Sequence, residues 1–186
     1  LFKKIFQNLI KKNKLSNGII YLQITRGVQS REHAYKNNLK PNVIIYTAKK
    51  KFNLPNKNYK GFKAITYPDI RWGRPDIKTT SLLANIIAAT EASKKGAYET
   101  ILVKGKKITE AAHSNVWIVK GNKIITHPAN KEILKGVTRT VLINIINSLG
   151  LKLTEKEFSL KELYKSDEVF ITSSGSLVTP ITQIDS

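Results

Sequence analysis

The chain has 186 residues, enough for one well-filled core with room for a small second lobe. Its formal net charge is +19, yet lysine dominates the basic set, the lysines spread over both halves, and no Arg/Lys cluster interleaves with aromatics, which argues against a nucleic-acid-binding module. No cysteine is present, so disulfides and thiolate metal sites are excluded, and three scattered histidines argue against a metal centre.

In chain order, LFKKIFQNLIKKN places apolar residues at 1, 2, 5, 6, 9 and 10, the spacing of an amphipathic helix that Asn13 and Asn17-Gly18 close. It lacks the continuous apolar stretch of a signal peptide, and no apolar run approaches the ~20 residues of a membrane helix. A soluble, cytoplasmic protein is expected. GIIYLQITRG, PNVIIYTA and GFKAITYP read as three strands, each bounded by Gly, Pro or Asn. SLLANIIAATEASKKG is a helix with apolar residues at 82, 83, 86 and 87 and alanines at 84, 88, 89 and 92, stopped by Lys-Lys-Gly.

Residues 98–127 read as a meander of short strands turning at Lys104-Gly105-Lys106 and Lys120-Gly121-Asn122. VTRTVLINIINSLG is a helix between Gly136 and Gly150, LKLTEKEF a strand, SLKELYKS a short helix and DEVFITSS a final strand. Runs of strands with isolated helices predict an α+β or barrel-like α/β domain rather than strict βαβ winding. The chain has no initiator methionine and stops at TPITQIDS within ordered-looking sequence, so further pieces are expected at both ends.

Two stretches suit an anion. In LKGVTRTV a glycine leads into a helix whose first turn offers free N–H groups and the Thr138 hydroxyl. In FITSSGS, Thr172, Ser173, Ser174 and Ser176 surround Gly175 directly after a strand. Each alone reads as an ordinary cap or turn; together they suggest a phosphate, and the absence of GxxxxGK[ST] argues against a nucleoside triphosphate. Arg26, Arg31, Arg71, Arg74 and Arg139 stand out in a lysine-rich composition, because the planar fork of arginine is what a site would keep. Lys78, just before an apolar helix, adds a nucleophilic amine, and a phosphate beside such a lysine suggests pyridoxal phosphate.

TRGVQSREH, DIRWGRPDIKTTSLLAN, ITEAAHSNVW, THPANKEILKGVTR and VFITSSGSLVTP, in this order, resemble the fold type IV pyridoxal-phosphate enzymes, closest to the D-amino acid aminotransferases. The resemblance implies the large domain of that fold, a pseudo-barrel of strands with flanking helices, over 51–186. Residues 1–50 would be the end of a small N-terminal lobe and an interdomain region with the R-x-H strand, the remainder of that lobe and a C-terminal segment being absent. It makes Lys78 the Schiff-base lysine and proton carrier, Glu110 the carboxylate facing the pyridine nitrogen, and Leu134 the residue against the ring. Val137, Thr138, Ser173 and Ser174 fall at phosphate positions, and Arg31 with His33 at the pair that binds the substrate α-carboxylate. On an extended strand, residues i and i+2 would present both to one side.

Amino transfer between a D-amino acid (D-alanine, D-glutamate) and a 2-oxo acid, by a cytoplasmic homodimer with pyridoxal 5'-phosphate, is the activity implied. A branched-chain aminotransferase or aminodeoxychorismate lyase of the same fold is the alternative within the family, and an inactive partial domain the alternative outside it. His113, Gly175 and Leu177 depart from the family pattern.

Overall fold

A computed structural model of the chain describes residues 1–52 and 60–185, which divide into two compact units, Leu1–Leu54 and Pro55–Ser186.

The first unit holds helix α1 (Phe2–Lys12) and an antiparallel pair, β1 (Gly18–Thr25) and β2 (Asn42–Lys49). Phe2, Ile5, Phe6 and Leu9 are the half-buried positions of α1, the i, i+3, i+4, i+7 stripe expected of one helical face. The helix stops at Asn13 because Lys14 turns left-handed (φ 47°), so that Lys14 N–H reaches Lys11 O and Leu15 N–H reaches Ile10 O. This is the double bond pattern that closes helices, with a lysine where glycine is usual. Tyr21 and Tyr46 sit opposite each other in the β1–β2 register and stack with centroids 4.9 Å apart.

The sequence predicts an extended strand through Arg31 and His33. Instead, residues 26–41 form the loop joining β1 and β2, and both side chains lie exposed on it. Gly27, at φ 126° and with its Cα so near Lys40 O that a Cβ would lie 2.3 Å from it, folds the chain back at the loop's start. Gln29 then bridges the loop by donating to Ala34 O and accepting from Lys36 N–H, both at 3.0 Å. The period-2 argument for placing Arg31 and His33 on one face therefore does not apply.

The second unit is a mixed nine-stranded sheet built from β3 (Phe62–Pro68), β4 (Glu99–Lys104), β5 (Lys107–Ala111), β6 (Asn115–Lys120), β7 (Lys123–Thr126), β8 (Lys152–Glu155), β9 (Phe158–Ser159), β10 (Glu168–Ser173) and β11 (Leu177–Ile184). Its order is β8-β7-β6-β10-β11-β3-β4-β5-β9. The helices are α2 (Leu83–Lys94), α3 (Val137–Ser148) and α4 (Leu160–Tyr164).

Two of its three parallel pairs explain the placement of the longer helices: α2 is the crossover between β3 and β4, and α3 that between β7 and β8. Three sequence expectations are corrected here. The expected meander is two hairpins, β4–β5 and β6–β7, on opposite sides of β10, β11 and β3 in the sheet order, and the chain between them turns tightly, with Ala111 N–H on Ser114 O at 2.7 Å. LKLTEKEF is split into β8 and β9. DEVFITSS is not the last strand, since β11 follows and pairs with β3.

Side chains alternate across the sheet, as the strand period requires. Ile101, Ile108, Ala111, Val116, Ile118, Ile125, Phe158 and Ile171 belong to the main core, whereas Leu102 and Ala112 join Ala88 beneath α2. α2 presents its alanines to the sheet, Ala88 and Ala92 being buried, and leaves Leu82, Leu83 and Ile86 exposed. Small side chains let the helix backbone approach β4 closely enough for Thr100 Oγ1 to donate to Ala88 O at 2.7 Å. On the α3 side, Trp117 donates its indole N–H to Thr172 Oγ1 at 2.9 Å, and the buried Arg139 guanidinium lies 5.9 Å from its ring.

Candidate active site

β3 ends at Pro68, and Asp69 N–H is held by Val103 O at 2.8 Å, which fixes the start of the loop leading to α2. Arg71 curls back there. Its Nε and Nη2 donate to the two oxygens of Asp69 at 2.9 and 2.8 Å, the bidentate fork that lysine cannot supply. Nη2 also reaches Glu132 O at 3.2 Å, and Nη1 forms a short ion pair with Glu110 on β5. All three side chains are nearly solvent-free, at 5–7 % exposure.

Burial acts differently on the two acids. It pushes Glu110 up to about 7 against the opposing pull of Arg71. For Asp69, burial also acts upward, but hydrogen bonds from Arg71 and Thr109 outweigh it and hold the carboxyl below its usual value. Glu110 is thus a buried acid poised near neutrality, a property typical of functional sites.

Asn115, at the start of β6, joins the parts. Its Nδ2 donates to Glu110 Oε2 at 3.0 Å and to Leu134 O at 2.9 Å. Leu134 N–H in turn points at both Glu110 oxygens, 3.2 Å from each. Asn115 Oδ1 packs so close to Gly136 that a Cβ there would lie 2.3 Å away, so a side chain at the α3 N-cap is excluded. The first-turn N–H groups of α3 accordingly receive no side-chain cap and present their partial positive charge at Val137 and Thr138. Across the sheet, Asn115 pairs in register with Thr172, the residue before Ser173. Ser173 Oγ and Ser176 Oγ are 2.7 Å apart, and Leu177 follows at φ 57°.

Of the residues singled out in sequence, the structure thus connects Glu110 and Leu134 directly and brings the α3 start against Asn115, with Ser173 one residue beyond the register partner of Asn115. Lys78 lies exposed in the β3–α2 loop and, among the described residues, has no ion pair or side-chain hydrogen bond. Asn85 on α2 donates to Ala112 O at 2.6 Å, which ties the helix after Lys78 to the turn after Glu110. Ser174 is exposed, and Arg31 and His33 belong to the first unit. His113 stands 3.1 Å from Glu99, a fully buried carboxylate that also accepts from Ser114. Sequence reasoning missed Asn115 as the joining residue and Arg71 as the partner of Glu110. The signals were the Asn that ends EAAHSN and the rarity of arginine.

An uncapped helix start, a hydroxyl turn and a buried acid raised toward neutrality lie along the same mixed sheet. Residues 1–184 match the family model of the class IV amino-transferases, and the chain belongs to that family. It is 38 % identical over 185 residues to a D-alanine aminotransferase of Listeria monocytogenes, covering 98 % of this chain and 64 % of the relative. It is 40 % identical over 184 residues to a D-alanine aminotransferase of Bacillus licheniformis, with the same 98 % and 64 % coverage. The chain therefore spans just under two thirds of the length of these relatives. Among solved structures, the branched-chain amino acid aminotransferase of Escherichia coli superposes with a TM-score of 0.80 at 25 % identity, covering 96 % of this chain and 61 % of that one.

Proposed function

We propose that this chain carries the cofactor-binding part of a pyridoxal-phosphate aminotransferase that moves an amino group between a D-amino acid, D-alanine or D-glutamate, and a 2-oxo acid. The observation that carries the reading is Glu110, a buried acid near neutrality held beside the uncapped start of α3. The donor set suits the cofactor at each end. The free N–H groups at Val137 and Thr138, with the hydroxyls of Thr138, Ser173 and Ser174, would hold its phosphate. A carboxylate with about four lone-pair sites still has capacity for a ring N–H after accepting from Arg71, Asn115 and Leu134.

When bound, pyridoxal phosphate supplies an electron sink for the α-carbon of the amino acid. The rest is the work of this chain's residues. Glu110 keeps a proton at the ring nitrogen, and the Arg71–Asp69 fork keeps Glu110 in place. Lys78 would supply the amine that attaches the cofactor and would move the α-proton. Leu134 would lie against the ring, and its backbone N–H restrains Glu110. Arg31 and His33 bind the α-carboxylate, a role supported by the R-x-H spacing and by the similarity to D-alanine aminotransferases.

A homodimer is the proposed assembly, supported by the exposure of Leu83 (70 %) and Ile86 (58 %) on α2. A cytoplasmic location accords with the absence of cysteine, and no described helix is long and apolar enough to cross a membrane. Amino transfer to 2-oxoglutarate, assayed side by side from D-alanine, L-leucine and L-glutamate with the protein that carries this chain, tests the reading. D-alanine is expected to be the best donor, and preference for an L-amino acid would replace it with the branched-chain alternative.

A further inference from the structure

Although the three histidines are scattered in sequence, the fold brings one of them to two carboxylates. His127 follows β7, Glu132 lies in the loop toward α3, and Glu157 sits between β8 and β9. One ligand-type atom from each lies within 4.8 Å of the others. His127 is 1 % exposed. Its Nδ1 faces Pro128 O at 2.9 Å, and since a carbonyl only accepts, that nitrogen carries the hydrogen. Its Nε2 is buried, has no hydrogen-bond partner among the described residues, and is directed at Glu132 Oε2, 3.7 Å away.

A lone pair facing carboxylates is a mismatch, because neither side has a hydrogen to give. A cation between them resolves it. A proton on Nε2 would serve one contact at 3.7 Å, longer than a hydrogen bond, whereas a metal ion serves all three donors together. We propose that His127, Glu132 and Glu157 form a site for a divalent borderline metal ion of the zinc class, separate from the residues that would hold pyridoxal phosphate.

The donor chemistry points to that class. One imidazole with two carboxylates suits Zn2+ better than Mg2+ or Ca2+, which favour all-oxygen shells. Anchoring of Nδ1–H by a backbone carbonyl is the arrangement that fixes the tautomer and aim of a metal-bound histidine. Lys104 pairs with Glu132 Oε1 and Lys107 with Glu157 Oε2, so one oxygen of each carboxylate stays available. Both lysines are more than half exposed, where water screens their charge. Ligands about 2.1 Å from zinc stand roughly 3.4 Å apart in a tetrahedron. From separations of at most 4.8 Å, the cluster closes by no more than about 1.4 Å, within reach of the part-exposed Glu157.

The test is titration of the chelator-stripped chain with ZnCl2, read by calorimetry and by metal content after desalting. One Zn2+ per chain is expected, with affinity falling by about tenfold or more in Glu132→Gln or Glu157→Gln, the scale on which even outer-shell changes alter metal affinity. His33→Ala and His113→Ala should bind as the parent does. His127→Gln should abolish binding, and if that buried substitution prevents folding, the two glutamate variants still decide. Absence of stoichiometric zinc, a smaller loss in both glutamate variants, or loss of binding in His113→Ala would overturn the site.

Discussion

The backbone N–H of Leu134 is shared between the two oxygens of Glu110, 3.2 Å from each, so the loop before α3 is fastened to β5 through the carboxylate itself. Glu110→Gln exchanges one of those oxygens for an amide nitrogen that cannot accept. In the loaded protein it should leave cofactor bound but slow amino transfer more than about tenfold, over ~1.4 kcal/mol of barrier, since a neutral amide cannot keep the ring nitrogen protonated. Stopped-flow half-reactions with D-alanine measure this, and an unchanged rate removes Glu110 from that role.

The same residue sets a pH dependence in the cofactor-free chain. Burial raises its pKa from 4.5 to about 7, so the unfolded carboxyl loses its proton first. Its contribution to stability is full below pH 4.5 and is lost as pH rises to about 7. Urea midpoints measured across that window should decline in the parent and flatten in Glu110→Gln.

Arg71→Met should be the most damaging single change near the site. It leaves Asp69 and Glu110 buried without their cation, and breaking a buried pair in this way costs about 3–5 kcal/mol. Equilibrium denaturation reads the loss directly. Arg71→Lys should recover part of it, because a point charge cannot reproduce the fork.

Lys78 should carry the covalent attachment. After borohydride reduction of the loaded protein, peptide mapping is expected to place the pyridoxyl label on the peptide containing Lys78, and a label on another lysine would displace the assignment.

Thr138→Val and Arg31→Ala separate cofactor from substrate. The first removes a hydroxyl at the α3 start and should weaken cofactor retention by about 1–3 kcal/mol, measured by spectroscopic titration. In the protein that carries this chain, the second should leave the cofactor spectrum intact while raising KM for D-alanine and lowering kcat. His33→Ala should act in the same direction and less strongly, having lost one donor rather than a charged fork.

How much was legible in sequence follows from which forces act locally. α1, α2 and α3 were readable because the apolar period meets an end signal in each, terminal lysines in α1 and α2 and a closing glycine in α2 and α3, and Gly96, Gly105, Gly121 and Gly150 all take the positive φ that their turns demand. β11 was missed because Pro180 interrupts LVTPITQI, and its partner β3 lies far back in the chain. The face of α2 was ambiguous: leucines and alanines both form stripes, and only the distance to β4 decides that the alanines turn inward. Glu110 came through a motif, whereas the partners of Arg71, Asn115 and His127 come from separate segments of the chain, which no local pattern encodes.

The parallel pairing of β3 with β11 also governs how the chain can be made. Thr66 N–H is bonded to Asp185 Oδ1 at 2.7 Å across 119 residues of sequence. β3 can pair early with β4 through α2, and β10 with β11 through a short turn, but the sheet joins only when the late hairpin reaches β3. At translation rates of about 5–20 residues per second, that edge of β3 stands open for roughly 6 to 24 s on the ribosome. Non-local pairing of this kind slows folding and exposes an apolar strand to other chains meanwhile. The seam that holds the finished sheet together is therefore its most vulnerable line during synthesis.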